Sequence, residues 1–270
     1  MELQGRLGEL KKQGLGLAAI SYDSPAILAD FTARRGITFP LLSDSGSETI
    51  KKYGILNTTV APTTSNYGIP FPGTFMLNPR GVVTARFFES AYQERNTVST
   101  ILLNLGAGGN STTAATRLTT DHLEMTTSVS DQTVAPGTVF SLVLEIKPRA
   151  GMHVYAPGAT DYKVITLSME PVPWLKLRPV QFPASEIYVF KPLNERVPVY
   201  QKSFRLVQEL NLDASREAQA QLATMKTLTI KGRVDYQACD DKVCFNPASV
   251  PVSWTVNLRT LDTDRANVQR

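Results

Sequence analysis

The feature that most constrains this chain is a change of pattern across one short stretch. Residues 105–117 contain the run GAGGNSTTAAT, rich in Gly, Ala, Ser, Thr and Asn. Such a composition has too little apolar surface to pack and reads as a flexible linker. Before it, helix and strand signals alternate. After it, nearly every signal is a strand. The 270 residues therefore divide into a domain over 1–104, the linker, a second domain over 118–260 and a polar tail over 261–270. Domains of roughly 100–200 residues are ordinary.

In the first part, Glu2 to Lys12 reads as helix, with Leu3, Leu7 and Leu10 at helical spacing. Leu15 to Ser21 is a short apolar strand. Ser24-Pro25 starts a helix, with Ser as N-cap and Pro in the first turn, and Gly36 ends it. Ser45-x-x-Glu48 has the form of a capping box for a short helix to Tyr53. Thr74 to Asn78 and Val82 to Phe88 form a hairpin about Asn78-Pro79-Arg80-Gly81. Tyr92 to Leu105 closes the unit as a helix. Alternating helices and strands specify an α/β unit.

In the second part, Thr138 to Ile146 is β-rich. Leu228, Ile230, Val234 and Tyr236 alternate across Thr227 to Tyr236. Val250, Val252, Trp254, Val256 and Leu258 alternate cleanly, so one face of that strand is buried. About seven or eight strands separated by Pro and Gly turns imply a β-sandwich. Only Ala214 to Ala223 reads as helix.

Composition excludes several function classes. Lys plus Arg total 28 against 24 Asp plus Glu, and the +4 net charge is shared by both parts without a basic stripe. Nucleic-acid binding, which needs clustered cations on phosphates, has no footprint. No stretch approaches the ~18 consecutive apolar residues of a membrane helix. Met1 to Lys12 is charged and lacks the apolar core of a signal peptide. Either the protein is cytoplasmic or the chain lacks its natural N-terminus.

The first part resembles the peroxiredoxins of the alkyl-hydroperoxide-reductase type, within the thioredoxin fold. The stretches that carry the likeness are AISYDSPAILADFTARRGITFPLLSD, KKYGI and PGTFMLNPRGVV. The resemblance implies an incomplete thioredoxin-like fold, because the strand before the first helix is absent. A sheet so built should have an unusual position beside the Leu15–Ser21 strand. The resemblance makes Pro72 a candidate for the cis-proline that lies against the family's active cysteine. The alternative is a proline that simply leads a strand. Both of the chain's cysteines lie beyond residue 238, and peroxidase chemistry needs a thiolate. Peroxidase activity is therefore not expected. The unit is a truncated remnant, the product of a misassigned start, or a domain kept for docking.

Those cysteines, Cys239 and Cys244, lie in Tyr236-Gln237-Ala238-Cys239-Asp240-Asp241-Lys242-Val243-Cys244-Phe245-Asn246-Pro247. An alternating strand ends at Tyr236 and another follows Pro247, so the pair sits near a turn, close enough to bridge. The stretch resembles the redox loop of the N-terminal domain of the thiol:disulfide interchange protein DsbD, an immunoglobulin-like sandwich. Gly151 to Tyr155, Phe182-Pro183-Ala184 and Glu186-Ile187-Tyr188 support the likeness. It implies a redox-active pair that exchanges with thioredoxin-like proteins and a membrane electron donor through mixed disulfides. It also implies a periplasmic or otherwise extracytoplasmic location and no organic cofactor.

Aromatic shielding of the pair is part of that resemblance. Tyr155 and Phe190 are its candidates, with Tyr236 and Phe245 as flanking support; ordinary core packing is the alternative for the first two. Asp240 and Asp241 should raise the Cys239 pKa and Lys242 should lower it, unless all three are a solvated turn. His122 and His153 are the chain's two histidines, and their spacing to the cysteines matches no zinc finger. A structural bridge remains the competing reading. Against it, so short a ring adds only about 2 kcal/mol, and a sandwich of this size can bury its own core. Two further alternatives stand: a non-catalytic interaction module, and a fragment of a peroxiredoxin fusion with antioxidant activity.

Overall fold

The computed structural model describes residues 2–65, 67–88, 95–104, 115–190 and 195–260. The chain divides into two compact units, Met1–Ala107 and Gly108–Arg270. Most of the linker and the whole 261–270 tail lie outside the described residues.

The first unit contains α1 (Glu2–Gly5), α2 (Leu7–Lys12), β1 (Ala19–Ser21), α3 (Pro25–Arg35), β2 (Leu41–Ser43), α4 (Glu48–Lys52), β3 (Gly73–Leu77), β4 (Val83–Phe88), β5 (Arg95–Asn96) and α5 (Val98–Asn104). The first helix is broken at Arg6, whose ψ of 8° leaves the helical range. Ser24 caps α3 by accepting from the Ile27 N–H, and Gly36 ends it in the left-handed region. The expected capping box does not form. Asp44 takes its place: its carboxylate accepts from the Glu48 and Ile50 N–H groups at 3.1 and 2.9 Å. An ionised acceptor suits a helix start better than a hydroxyl. The closing helix begins only at Val98; the stretch 89–94 lies outside the described residues.

β1 pairs in parallel with β2, and β3 pairs with β4. Among the described residues these are two separate two-stranded sheets, so no strand stands beside β1 on its other side. On one face of the β1–β2 pair the register partners Ile20 and Leu42 remain in water, 40% and 51% exposed. The peptide bonds described are all trans, which corrects the candidate cis-proline at Pro72. With no cysteine in the unit to pack against, Pro72 acts as a strand leader, where no ladder N–H is needed. Gly73 beside it is required sterically, since a Cβ there would sit 2.3 Å from the Phe88 ring.

The second unit comprises β6 (Thr116–Thr119), β7 (Leu123–Val129), β8 (Thr133–Val134), β9 (Thr138–Pro148), β10 (His153–Tyr155), β11 (Thr166–Met169), β12 (Leu175–Leu177), β13 (Glu186–Phe190), β14 (Glu195–Tyr200), β15 (Phe204–Leu212), α6 (Arg216–Leu222), β16 (Thr227–Tyr236), β17 (Ala238–Cys239) and β18 (Ala248–Leu258). One sheet runs β12-β15-β9-β7-β6 and its partner β11-β16-β18-β8. Their inner faces meet in one core that includes Phe140, Leu142, Leu144, Ile230, Val234, Trp254 and Val256. The indole N–H of Trp254 donates to the Val143 carbonyl at 3.1 Å, so the largest core ring keeps its polar atom satisfied.

This is an immunoglobulin-like sandwich with one addition that strand-by-strand reading did not anticipate. A third sheet, β13-β14-β10-β17, stands apart from the other two. Its members β10 and β17 are three and two residues long, too short for a period-2 signal. The functional loop hangs from this third sheet.

Candidate functional site

The β16–β18 hairpin pairs from Thr227↔Asn257 to Tyr236↔Ala248. Beyond Tyr236 the chain leaves that sheet. Ala238 and Cys239 pair instead with Val154 and His153 of β10. The chain then reverses. Asp240 N–H donates to the Val243 carbonyl at 3.0 Å, and Phe245 N–H donates to the Ala238 carbonyl at 2.9 Å. Asp240 Oδ1 accepts from the Lys242 and Val243 N–H groups, each at 2.7 Å. Those amides, Lys242 first, hold the carboxyl below the usual carboxylate range. Asp240 is therefore the residue that folds the turn, and Asp241 and Lys242 are exposed at its tip.

This turn closes the Cys239–Cys244 disulfide, with Cα atoms 4.1 Å apart, slightly inside the ~4.4–6.8 Å usual for a bridge. The two cysteines differ in exposure. Cys239 is 1% exposed, whereas Cys244 is exposed and its neighbour Val243 is 53% exposed. The Tyr155 hydroxyl lies 3.2 Å from Cys239 Sγ and 3.3 Å from Cys244 Sγ. Burial raises the Tyr155 pKa, with Tyr162 adding to the shift, so this hydroxyl keeps its proton and remains a donor.

A small apolar cluster surrounds the buried sulfur: Cys239, Tyr155, Val197 and Val199, with Ala159, Tyr162 and Tyr188 packed against them. Phe190 is not in that cluster. It is half-buried at the end of β13, paired with Glu195, and Tyr188 holds the position expected of it. The two residues point to the same side of β13 because side chains alternate with period 2, so the sequence placed the right face but the wrong ring. Tyr236 also lies elsewhere. It belongs to the main sandwich core, and its hydroxyl is 2.9 Å from Thr120 Oγ1. Phe245 packs against the same core and its ring meets His122 at 4.5 Å. Both support the base of the loop rather than the sulfurs.

Two further residues tie the loop down. Gln237 Nε2 donates to the Phe245 carbonyl at 3.1 Å, and its Oε1 accepts from Lys163 N–H at 3.3 Å. His153, directly across from Cys239 in register, is buried between Tyr188 at 4.5 Å and Tyr155 at 5.6 Å. Burial lowers its pKa and Asp240 partly opposes that. Gln237 and His153 stood within the quoted motifs, but nothing in their spacing marked a role. Among the described residues no three His, Cys, Asp or Glu side chains converge as a metal site.

Comparison with known proteins separates the two units. Residues 121–253 match the family described as thiol:disulfide interchange protein DsbD, N-terminal. Residues 1–86 match the AhpC/TSA family. Two curated proteins named as peroxiredoxins, from Mycobacterium tuberculosis strains CDC 1551 / Oshkosh and ATCC 25618 / H37Rv, are each 40% identical over 53 residues. That alignment covers 20% of this chain and 34% of theirs, so the chain spans about a third of the length of the curated relatives it matches. Among solved structures, the N-terminal periplasmic domain of ScsB from Proteus mirabilis is similar at 14% identity, over 53% of this chain and 49% of that one, with a TM-score of 0.34. The Neisseria meningitidis DsbD n-terminal domain in its reduced form is similar at 15% identity, over 43% and 81%, with a TM-score of 0.30. The chain thus carries a DsbD N-terminal domain at 121–253 and an AhpC/TSA-type, thioredoxin-like segment at 1–86.

Proposed function

We propose that the DsbD-type domain is a thiol–disulfide exchanger whose working pair is Cys239–Cys244. The observation that carries this reading is the asymmetry of the bridge: Cys244 is an exposed residue and Cys239 a buried one, with the Tyr155 hydroxyl against both sulfurs. Exchange needs an accessible sulfur to attack and a stabilised sulfur to leave. Cys244 meets the first need. Cys239, with the Tyr155 hydroxyl within hydrogen-bond reach of sulfur, meets the second.

A partner thiolate attacks Cys244 Sγ and forms a mixed disulfide, while Cys239 leaves as a thiolate. The partner's second thiol then attacks its own sulfur in that mixed disulfide. The partner departs oxidised and the pair is left with two thiols and two more electrons. In the reverse direction the pair reduces other disulfides. The family of the domain supports thioredoxin-like partners, a membrane electron donor and an extracytoplasmic location. The exposed Val243 offers apolar contact beside the attacked sulfur. We read 1–104 and 118–260 as the functional units, joined by 105–117. Electrons enter and leave through the second, since the first has no thiol.

Single-cysteine variants test this. In Cys239→Ser, the remaining Cys244 should form a mixed disulfide with glutathione disulfide readily. In Cys244→Ser, the remaining Cys239 should do so slowly. Equal reactivity, or faster trapping at Cys239, contradicts the assignment.

A further inference from the structure

The disulfide ring is held closed from two sides. Outside it, Phe245 N–H donates to the Ala238 carbonyl at 2.9 Å, and Gln237 Nε2 donates to the Phe245 carbonyl at 3.1 Å. Inside it, the turn 240–243 is fastened by one residue at both backbone and side chain. Asp240 N–H donates to the Val243 carbonyl at 3.0 Å. Asp240 Oδ1 accepts from the Lys242 and Val243 N–H groups, each at 2.7 Å. Both bonds are at the short end for N–H···O, as an ionised acceptor makes them. Burial contributes little at this tip, because Asp241, Lys242, Val243 and Cys244 are all exposed. None of these inner bonds involves a sulfur atom, so each can be made with the disulfide closed or open.

We infer that Asp240 is a positioning residue that keeps Cys239 and Cys244 within bonding reach after the bridge opens, and so sets the rate of reclosure and the reduction equilibrium of the pair. The inference rests on the exchange reading above. When a partner thiolate bonds to Cys244 Sγ, the Cys239–Cys244 bond breaks and its electron pair goes to Cys239 Sγ. Two reactions then compete for the mixed disulfide. In one, a second thiol of the partner attacks the partner's own sulfur and leaves the pair reduced. In the other, the Cys239 thiolate attacks Cys244 Sγ, the electron pair returns to the partner's sulfur and the bridge re-forms. No proton is consumed in that return. Its rate follows the local concentration of Cys239 at Cys244, which a fastened turn keeps high. The Asp240 bonds are made in full when the bridge is closed and in part when it is open, so they favour the closed form by that difference.

The test is equilibration of the 270-residue chain in glutathione buffers of stepped potential. Asp240→Ala should lower the equilibrium constant for closure about tenfold, the effect of removing a side-chain acceptor from exposed backbone donors. For a two-electron couple that moves the midpoint about 30 mV toward easier reduction. The mixed disulfide of glutathione with Cys244, trapped by acid and counted by mass spectrometry, should accumulate above its wild-type level.

A graded series separates the turn from the charge. Asp240→Asn keeps a side-chain oxygen that accepts the same two N–H groups and should restore most of the wild-type midpoint. Asp240→Ser makes the same kind of turn more weakly and should fall between Asn and Ala. Asn and Ala variants that behave alike would assign the effect to the lost charge and overturn the inference, as would an unchanged midpoint in a folded Asp240→Ala chain. If Asp240→Ala does not fold, the order of Asp, Asn and Ser decides by the same signs. A wild-type pair that glutathione leaves oxidised overturns the exchange reading alone, because equilibration with dithiothreitol still reads the Asp240 shift.

Discussion

The two units of this chain divide pattern from chemistry in opposite ways. The first matches its relatives at 40% identity over 53 residues, yet it contains no thiol and, among the described residues, its strands β1 to β4 form two separate pairs. The second has a continuous core and a closed disulfide seated on a tyrosine. The difference teaches that a family's local sequence pattern and the thiols its chemistry uses are separate properties. A fold segment can keep its helix caps and hairpins without the one atom its chemistry needs.

The largest effect should appear in peroxide consumption. A Cys239→Ser plus Cys244→Ser chain should show no thiol-dependent turnover of hydrogen peroxide. Turnover that survives both substitutions would give the first unit a chemistry denied to it here.

Core substitutions should show the next largest contrast. Phe140 is fully buried in the sandwich, and Phe140→Ala should cost about 3–5 kcal/mol, measured as a shift of the second unit's denaturant midpoint. Ile20→Ser, on the exposed face of the β1–β2 pair, should stay within about 0.5 kcal/mol. A large loss at Ile20 would mean that this face is covered in solution.

Much of this contrast was legible before the structure. The alternation of β16 and β18, the Ser24-Pro25 start, the Asn78–Gly81 turn and the Cys239–Cys244 bridge follow from local spacing. The third sheet did not, because β10 and β17 are too short for a period and their pairing joins residues far apart in sequence. For the same reason Tyr162 and Glu195 carried no signal. Tyr162 stacks on Tyr155 and its hydroxyl donates to Glu195, contacts between residues apart in sequence that no local pattern encodes. Asp44 displaced the expected capping box by accepting from the Glu48 and Ile50 N–H groups, and an ionised carboxylate is the stronger acceptor at a helix start.

Smaller effects test whether the bridge is a staple. Losing either cysteine should cost about 2 kcal/mol, the loop-closure value for so short a ring. Outright unfolding of a single-cysteine variant in urea-free buffer would assign the bridge to structure.

The smallest effect concerns His153. Its folded pKa lies below its ordinary value because of burial, so the unfolded chain binds a proton that the folded chain refuses. Stability from this site is complete above about pH 6.5 and declines as the pH falls through the window between 6.5 and the lower folded pKa. His153→Phe should flatten that part of the stability–pH curve. An unchanged slope would show that His153 titrates normally.

The most direct test is an equilibrium titration of the Cys239–Cys244 pair in the 270-residue chain against thiol–disulfide buffers of known potential. A working exchange pair should come to half-reduction above about −300 mV. A midpoint below that value, with the disulfide intact throughout the glutathione range, would contradict the account and leave the bridge a structural staple.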